Sequence, residues 1–295
     1  VSARVAVGQY RNAYKVFRCA LSIAVIASGI ISLVIFFGAE FIAGTLMAMD
    51  MSVYALRVLA PCIFVVALLG VIRGFFQGNG SMMPTAFSQI LEQIVNAAAS
   101  VAGAYVLLKM GMEVAGTRGD DSYGAAYAAA GGTIGTIAGA FSALLFVAMI
   151  FFAYSRLFRR KMWRDRSRKK ESYRKIYRIL FMTIAPVILS ATVYNISDFL
   201  DTAIFSNTMA AQGFKKTEYA SLLGILGSQY STLINVPLAM ASALGASLIP
   251  SLVTTVQTGS RKQIHMKIHT AIRFNMLIAI PCAVGFLILA KPIMD

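Results

Sequence analysis

Apolar residues fall into seven long runs, separated by shorter polar or charged segments. The runs cover residues 19–39, 55–76, 84–108, 124–153, 177–206, 219–255 and 271–294. Each run exceeds the roughly 20 residues that a helix needs to cross the hydrocarbon core of a bilayer. The pattern therefore predicts an all-α, polytopic membrane protein, built as a bundle of seven transmembrane helices.

The sixth run is the longest and contains Pro237 and Pro250. No charged residue lies between Glu218 and Arg261. We therefore expect one long helix bent near Pro237 rather than two short spans. The basic segment 259–273 that follows is typical of an amphipathic helix on the membrane surface.

Composition supports this interpretation, because 58% of the 295 residues are hydrophobic and only 13% are charged. Soluble domains carry about 25% charged residues. The net charge of +15 does not indicate nucleic-acid binding, since twelve of the 27 Lys and Arg lie between Arg156 and Arg178. Such a cluster is typical of a cytoplasmic loop that faces anionic lipid headgroups.

Assigning the polar segments alternately to two sides separates the charges. One side collects 21 basic residues and two acids, and the other collects six basic residues and seven acids. The positive-inside rule places the basic side in the cytoplasm. The linker 156–176 divides four spans from three, which predicts an N-terminal lobe over 1–155 and the start of a C-terminal lobe over 177–295.

The third span carries a polar face. Gln89, Glu92, Gln93 and Asn96 follow the spacing i, i+3, i+4, i+7, which places them on one side of a helix. Polar side chains inside a bilayer face a hydrated cavity or another polar helix. The pattern predicts either a substrate cavity or a hydrogen-bonded seam between helices.

Arg73 and Gln77 end the second span, just before a tight Gly-Asn-Gly-Ser turn at 78–81. Counted along the helices, Arg73 lies about 10 Å and Glu92 about 18 Å from the turn. We expect Arg73 to reach Glu92 through Gln89 or water rather than directly, or else to extend to the cytoplasmic headgroups.

The fifth span carries Asn195, Asp198 and Asp201, one helical turn apart. Two carboxylates in a membrane helix can bind a cation or take up protons, although a long span could also place them near the outer headgroups. The sixth span adds Gln229, Thr232 and Asn235 before Pro237, a proline that frees a backbone carbonyl.

Other residue patterns limit which chemical activities the protein can have. There is no catalytic motif, no P-loop and no CxxC, so we expect neither an enzyme nor a bound cofactor or metal. His265 and His269 are spaced i, i+4 without a carboxylate or thiolate partner, which is weak evidence for a metal site. Gly131, Gly135 and Gly139 predict close helix packing.

Several stretches resemble one superfamily. They are Arg57-Val-Leu-Ala-Pro61, Gly70-Val-Ile-Arg73-Gly-Phe-Phe-Gln77-Gly-Asn-Gly, Met83-Pro-Thr-Ala-Phe-Ser88-Gln89-Ile-Leu-Glu92-Gln93, Thr232-Leu-Ile-Asn235-Val-Pro237 and Ile280-Pro281-Cys-Ala-Val-Gly285. The chain resembles the polysaccharide-transporter branch of the MOP flippase superfamily, with the stage V sporulation protein B group and the MurJ-type lipid II flippases.

That resemblance implies fourteen helices in two lobes around a cavity that opens alternately to each side. The seven spans then correspond to helices three to nine, and the basic linker joins the lobes. With the first two and last five helices outside it, we expect the chain to be a piece of a longer protein.

The resemblance also implies a function. The chain would belong to a monomeric flippase of the bacterial cytoplasmic membrane, which moves an undecaprenyl-type lipid bearing pyrophosphate and an oligosaccharide or peptidoglycan precursor. Asp198 or Asp201 would couple transport to Na⁺ or H⁺. The alternatives are a MATE-type multidrug antiporter and a non-transporting scaffold of cell-wall or spore assembly, and the Arg-Gly…Gln-Gly motif favours the flippase.

Overall fold

A computed structural model describes residues 1–120, 122–165, 171–225, 227, 231–258 and 261–294. Helices and turns make up these residues, without a β-strand among them. Seven helical segments are long and apolar enough to cross a membrane. The predicted all-α class and the predicted number of spans are both confirmed.

Nine α-helices follow one another along the described chain. They are α1 (Ser2–Ala6), α2 (Tyr10–Glu40), α3 (Val53–Gly78), α4 (Met83–Arg118), α5 (Ser122–Trp163), α6 (Tyr173–Ala211), α7 (Lys216–Ile225), α8 (Ser231–Thr258) and α9 (Arg261–Met294). A π-helical turn (Phe41–Leu46) and a 3₁₀ turn (Asp50–Ser52) connect α2 to α3.

Local residue chemistry explains where α4 begins and ends. Pro84 lies in its first turn, where the missing N–H would have no helical partner. Gly119 ends the helix in a left-handed conformation with φ +70°, and its N–H donates to the Ala115 carbonyl. Gly80, with φ +82°, makes the tight turn between α3 and α4 that the sequence predicts.

Among the described residues, the sixth run contains α7 and α8, with Pro237 and Pro250 both inside α8. Residues 226 and 228–230 between them lie outside the described residues, so the single helix bent near Pro237 stays a prediction. Of the described residues in this run, the segment Leu233–Val256 is long and apolar enough to cross a membrane. Gln229 lies outside the described residues.

The expected surface helix over 259–273 is corrected. From Arg261 onwards these residues form the first turns of α9, which continues into the last span without a break. Lys267 is tied to α8, because its ammonium donates to the Ser251 hydroxyl at 2.6 Å and to the Thr255 hydroxyl at 2.7 Å. The basic residues from Arg261 onwards therefore belong to one end of a transmembrane helix and not to a separate surface helix.

The closest helix pair is α4 with α5. A Cβ atom built on Gly131 would lie 2.2 Å from the Gly103 carbonyl oxygen, and one on Gly135 would lie 2.1 Å from the Ser100 hydroxyl oxygen. On Gly139 it would lie 2.6 Å from the Glu92 carbonyl oxygen. The predicted role of these glycines in close packing is confirmed, because any side chain would force the backbones apart.

An aromatic cluster joins α2, α3 and α5 near the 78–81 turn. Phe17, Phe75 and Phe158 are all buried. The Phe17 and Phe75 ring centroids lie 4.8 Å apart, and those of Phe75 and Phe158 lie 5.1 Å apart. These tilted and edge-to-face contacts fix the same end of all three helices.

The later helices are far less buried. Among the described residues from 171 onwards, only Ile176, Ser206, Tyr219 and Thr255 are buried. Helix α6 reaches the first half of the chain near its start, where Ile176 packs with Val16 and Cys19. The two halves of the chain thus differ sharply in how much protein surrounds their polar residues.

Candidate functional site

A polar network joins α3 to α4 on the side of the 78–81 turn. Arg73 donates from Nε to the Ser88 hydroxyl at 2.8 Å and from Nη2 to Glu92 Oε2 at 2.7 Å. The Arg73 and Glu92 side chains are only 14% and 22% exposed. Ser88 is fully buried and donates its own hydroxyl proton to the Thr85 carbonyl at 2.8 Å.

The direct ion pair corrects the expectation that Arg73 would reach Glu92 through Gln89 or water, or extend to the headgroups. In a helix every Cα–Cβ bond tilts toward the N-terminus. Because α3 and α4 are antiparallel, the Arg73 side chain leans away from the turn and the Glu92 side chain leans toward it. The two groups therefore meet, although their Cα atoms lie at different depths.

Ser88 is the residue that sequence reasoning missed. It lies four residues before Glu92, so the residues of α4 that point toward α3 and α5 are Ser88, Glu92, Asn96 and Ser100. The Ser100 hydroxyl lies 2.9 Å from Asn96 Oδ1 and 2.8 Å from the Gly132 carbonyl oxygen on α5. The spacing of four was the signal that could have identified Ser88.

The predicted polar face on α4 is thus divided. Glu92 and Asn96 are partly buried against neighbouring helices, whereas Gln89 and Gln93 are exposed. Gln77 lies one turn nearer the 78–81 turn than Arg73, and its amide is 3.5 Å from the Thr85 hydroxyl, the long limit of a hydrogen bond. Glu92 and Asn96 therefore fit the predicted seam between helices, whereas the side chains of Gln89 and Gln93 are exposed and accessible to a ligand.

Charge balance defines what this network can do. Glu92 neutralises Arg73, so the pair carries no net charge in a region of low dielectric constant. The two hydrogen bonds use the Nε–H and one Nη2–H, while a guanidinium has five N–H donors in all. Three of the five N–H donors of Arg73 are therefore not used by these two hydrogen bonds.

The predicted coupling residues on α6 lie in different surroundings. Asn195, Asp198 and Asp201 are exposed. The Asn195 amide donates to the Ala191 carbonyl of its own helix at 2.7 Å. Among the described residues, neither carboxylate takes part in an ion pair. Asn235 on α8 is likewise exposed.

The described hydrogen bonds do not connect the α6 carboxylates to the Arg73 network. Within the described part of the chain, no group of three or more His, Cys, Asp or Glu could hold a metal ion. The structure therefore brings together Arg73, Gln77 and Glu92 with Ser88 and Thr85, and it pairs Asn96 with Ser100 further along α4. It leaves the residues on α6 and α8 apart from them.

Comparisons with known proteins agree with one another. The family described as lipid II flippase MurJ matches residues 8–295. The chain is similar to lipid II flippase MurJ of Bacillus subtilis (strain 168), with 24% identity over 293 residues, 97% of this chain and 52% of that protein.

It is also similar to stage V sporulation protein B of the same organism, with 23% identity over 270 residues, 92% of this chain and 49% of that protein. The chain spans about half the length of the curated relatives it matches. No solved structure matches.

Proposed function

Since the chain belongs to the lipid II flippase MurJ family, we propose that it supplies seven helices of an alternating-access flippase in a multi-pass cell membrane protein. The transported molecule is a lipid-linked, pyrophosphate-bearing precursor of undecaprenyl type. Members of this family are transporters and not enzymes. The observation that carries the proposal is the family match over residues 8–295, which includes every predicted span.

Of the two substrate classes, we favour a peptidoglycan precursor over another lipid-linked oligosaccharide. The description of the matching family and of one relative names lipid II. The name of the second relative states no substrate. The finer assignment rests on this difference.

The proposed substrate cavity uses Arg73, Gln77, Gln89, Glu92, Gln93, Asn96 and Asn235. In the empty carrier Glu92 balances the charge of Arg73, which avoids an isolated cation inside the bilayer. An arriving diphosphate competes with the Glu92 carboxylate for the guanidinium, which binds phosphate oxygens in a bidentate manner. The exposed amides of Gln89 and Gln93 then offer donors to the same group.

Coupling to a cation is assigned to Asn195, Asp198 and Asp201. Two carboxylates one turn apart on a membrane helix carry an unbalanced negative charge. A Na⁺ ion, or a proton on one carboxylate, removes part of that charge. Coupling then requires the cation to bind these residues more tightly in one state of the carrier than in the other.

The test is translocation of a fluorescent undecaprenyl-linked precursor by the full-length protein in proteoliposomes, with and without a Na⁺ or H⁺ gradient. Arg73→Gln should slow transport by at least about tenfold, the effect of losing one or two hydrogen bonds to a charged group. Arg57→Gln is the matched control, because Arg57 forms an exposed pair with Glu40 away from the network.

Robust efflux of an organic cation without lipid movement would contradict the flippase proposal and support a multidrug antiporter. Full cellular function after Arg73, Glu92 and Asp198 are all neutralised would instead indicate a scaffold. Equal loss in the Arg57→Gln and Arg73→Gln proteins would remove Arg73 from the substrate cavity.

A further inference from the structure

Helices α6 and α7 contact the α2–α3 connection at the end of the molecule opposite the 78–81 turn. Asn207 donates from its side-chain amide to the Leu46 carbonyl at 3.1 Å. The Tyr219 hydroxyl donates to the Ala48 carbonyl at 3.0 Å. The Lys216 ammonium pairs with the Asp50 carboxylate.

Tyr219 is the centre of this contact. It is 1% exposed and is the largest fully buried side chain among the described residues, although the rest of α7 is mostly exposed. Its partner Ala48 has φ +53°, a left-handed conformation that is unfavourable for a residue with a Cβ. This turn lies beyond the end of the preceding helix, so its carbonyl is available to the tyrosine.

The opposite end of α6 is held in another way. Ile176 packs with Val16 and Cys19, and the Tyr177 and Ser22 hydroxyls lie 2.8 Å apart. Just before the helix, Glu171 pairs with Arg4 at 3.2 Å. These contacts keep the start of α6 near α2.

Between these two ends α6 is free of the first half of the chain. Residues 185–193 and 195–198 are all exposed. Pro186 lies inside this stretch, where its missing N–H removes one helical hydrogen bond and makes the helix easier to bend. Helix α6 is therefore fixed near its ends and unsupported by the described chain in the middle.

The two ends differ in how readily their ion pairs break. The Lys216 and Asp50 side chains are 65% and 60% exposed, whereas those of Arg4 and Glu171 are 21% and 19% exposed. Water solvates the separated charges of an exposed pair almost as well as the pair itself. The end with Lys216 and Asp50 is therefore the one that separates more easily.

We propose that residues 46–50 together with 207–219 form a latch that closes one side of the transport pathway and opens when α6 pivots about its first turns. By the charge distribution this is the outer side. The latch rests on the proposed function in that a carrier must open to each side in turn. Its three contacts need no substrate, so the latch can be tested separately.

The experiment measures a distance by double electron–electron resonance in the reconstituted full-length protein, with the native cysteines replaced. Spin labels at the exposed positions Ser52 and Gln212 lie beside the three latch contacts without taking part in any of them. Asp50→Lys and Tyr219→Phe should each raise the long-distance fraction at least about twofold. Combining Asp50→Lys with Lys216→Asp should restore the original distribution.

Two controls make the outcome decisive. Glu40→Gln with Arg57→Gln removes an exposed ion pair of the same end that lies within the first half of the chain, and it should leave the distances unchanged. A second label pair at Arg18 and Arg174, beside the pivot, should move in none of the variants.

The latch is overturned if the charge exchange fails to restore the distribution, or if the Glu40 and Arg57 double variant changes it equally. It is also overturned if the Arg18–Arg174 distance changes as much as the Ser52–Gln212 distance. Distance changes as expected, without movement of the lipid substrate, would instead retain the latch and contradict the proposed function.

Discussion

Helices α4 and α6 both carry acidic and amide side chains through a membrane, but the surroundings of their carboxylates differ. On α4, Glu92 is paired with Arg73 inside this chain. On α6, Asp198 and Asp201 are exposed. The difference teaches that the polar residues of α4 contribute to the fold itself, whereas those of α6 are available to a cation, to water or to other helices.

The close approach of α5 makes the environment of α4 possible. Gly131, Gly135 and Gly139 bring the two backbones together, so that Ser100 and Asn96 find partners across the interface. Helix α6 has no equivalent neighbour among the described residues. Substitutions should therefore reduce stability on α4 and α5 and should mainly affect transport on α6.

The largest effect is expected at Gly131. A Gly131→Leu substitution places a side chain where a Cβ already lies 2.2 Å from the Gly103 carbonyl oxygen. Overpacking of this kind costs about 1–3 kcal/mol or more, because a rigid backbone must shift. The free energy of unfolding in detergent should fall accordingly.

Gly132 is the matched control, since a Cβ built there meets nothing within 4 Å. Gly132→Leu differs by one position on the same helix and should preserve the unfolding midpoint. If both leucine variants lose the same stability, close packing at Gly131 does not explain the loss, and helix propensity does not either, because leucine favours a helix more than glycine does.

The next effect is expected at Glu92. Glu92→Gln keeps the shape of the side chain but leaves Arg73 without its counter-charge. Because the pair is partly exposed, we expect a loss of about 1–3 kcal/mol in the free energy of unfolding, below the figure for a fully buried pair.

Asp198→Asn makes the same chemical change on α6 and should leave the unfolding midpoint in place while it reduces Na⁺- or H⁺-dependent transport. The contrast between the helices fails if the Glu92 and Asp198 variants lose equal stability. It also fails if Asp198→Asn transports normally while Glu92→Gln unfolds.

A smaller effect is expected at Ser88. Ser88→Ala removes the acceptor of the Arg73 Nε–H and should cost about 1 kcal/mol. In a double-mutant cycle with Arg73→Gln the two losses should not add, because each substitution removes the same hydrogen bond. Strict additivity would show that Ser88 stabilises α4 independently of Arg73.

The smallest effect concerns the pH dependence of the latch. The hydrogen bond to Asp50 raises the pKa of Lys216 above the ordinary 10.5. A raised pKa in the folded state stabilises the contact fully below 10.5 and loses that contribution as the pH rises through the folded value.

The difference in unfolding midpoint between the wild-type protein and Lys216→Met should therefore stay constant from pH 7 to 9 and shrink only above about 10.5. A difference that already disappears between pH 7 and 8 would contradict this assignment.

The sequence by itself determined the fold class and the seven spans. Both follow from local rules, because a bilayer requires about 20 apolar residues and leaves no water for unpaired backbone groups. The family motifs around Arg73 and Glu92 were also recognisable in the amino-acid sequence. The lobe boundaries at 155 and 177, the membrane orientation and the coupling role of Asp198 and Asp201 stay predictions.

Only the tertiary structure decided which polar groups meet. The distance between Arg73 and Glu92 depends on the lean of two side chains across an antiparallel pair, and the roles of Ser88 and Tyr219 depend on residues 15 and 171 positions away. Helical periodicity places a residue on a face of its own helix. It does not specify which atoms of another helix lie opposite, because that depends on how closely the two backbones approach.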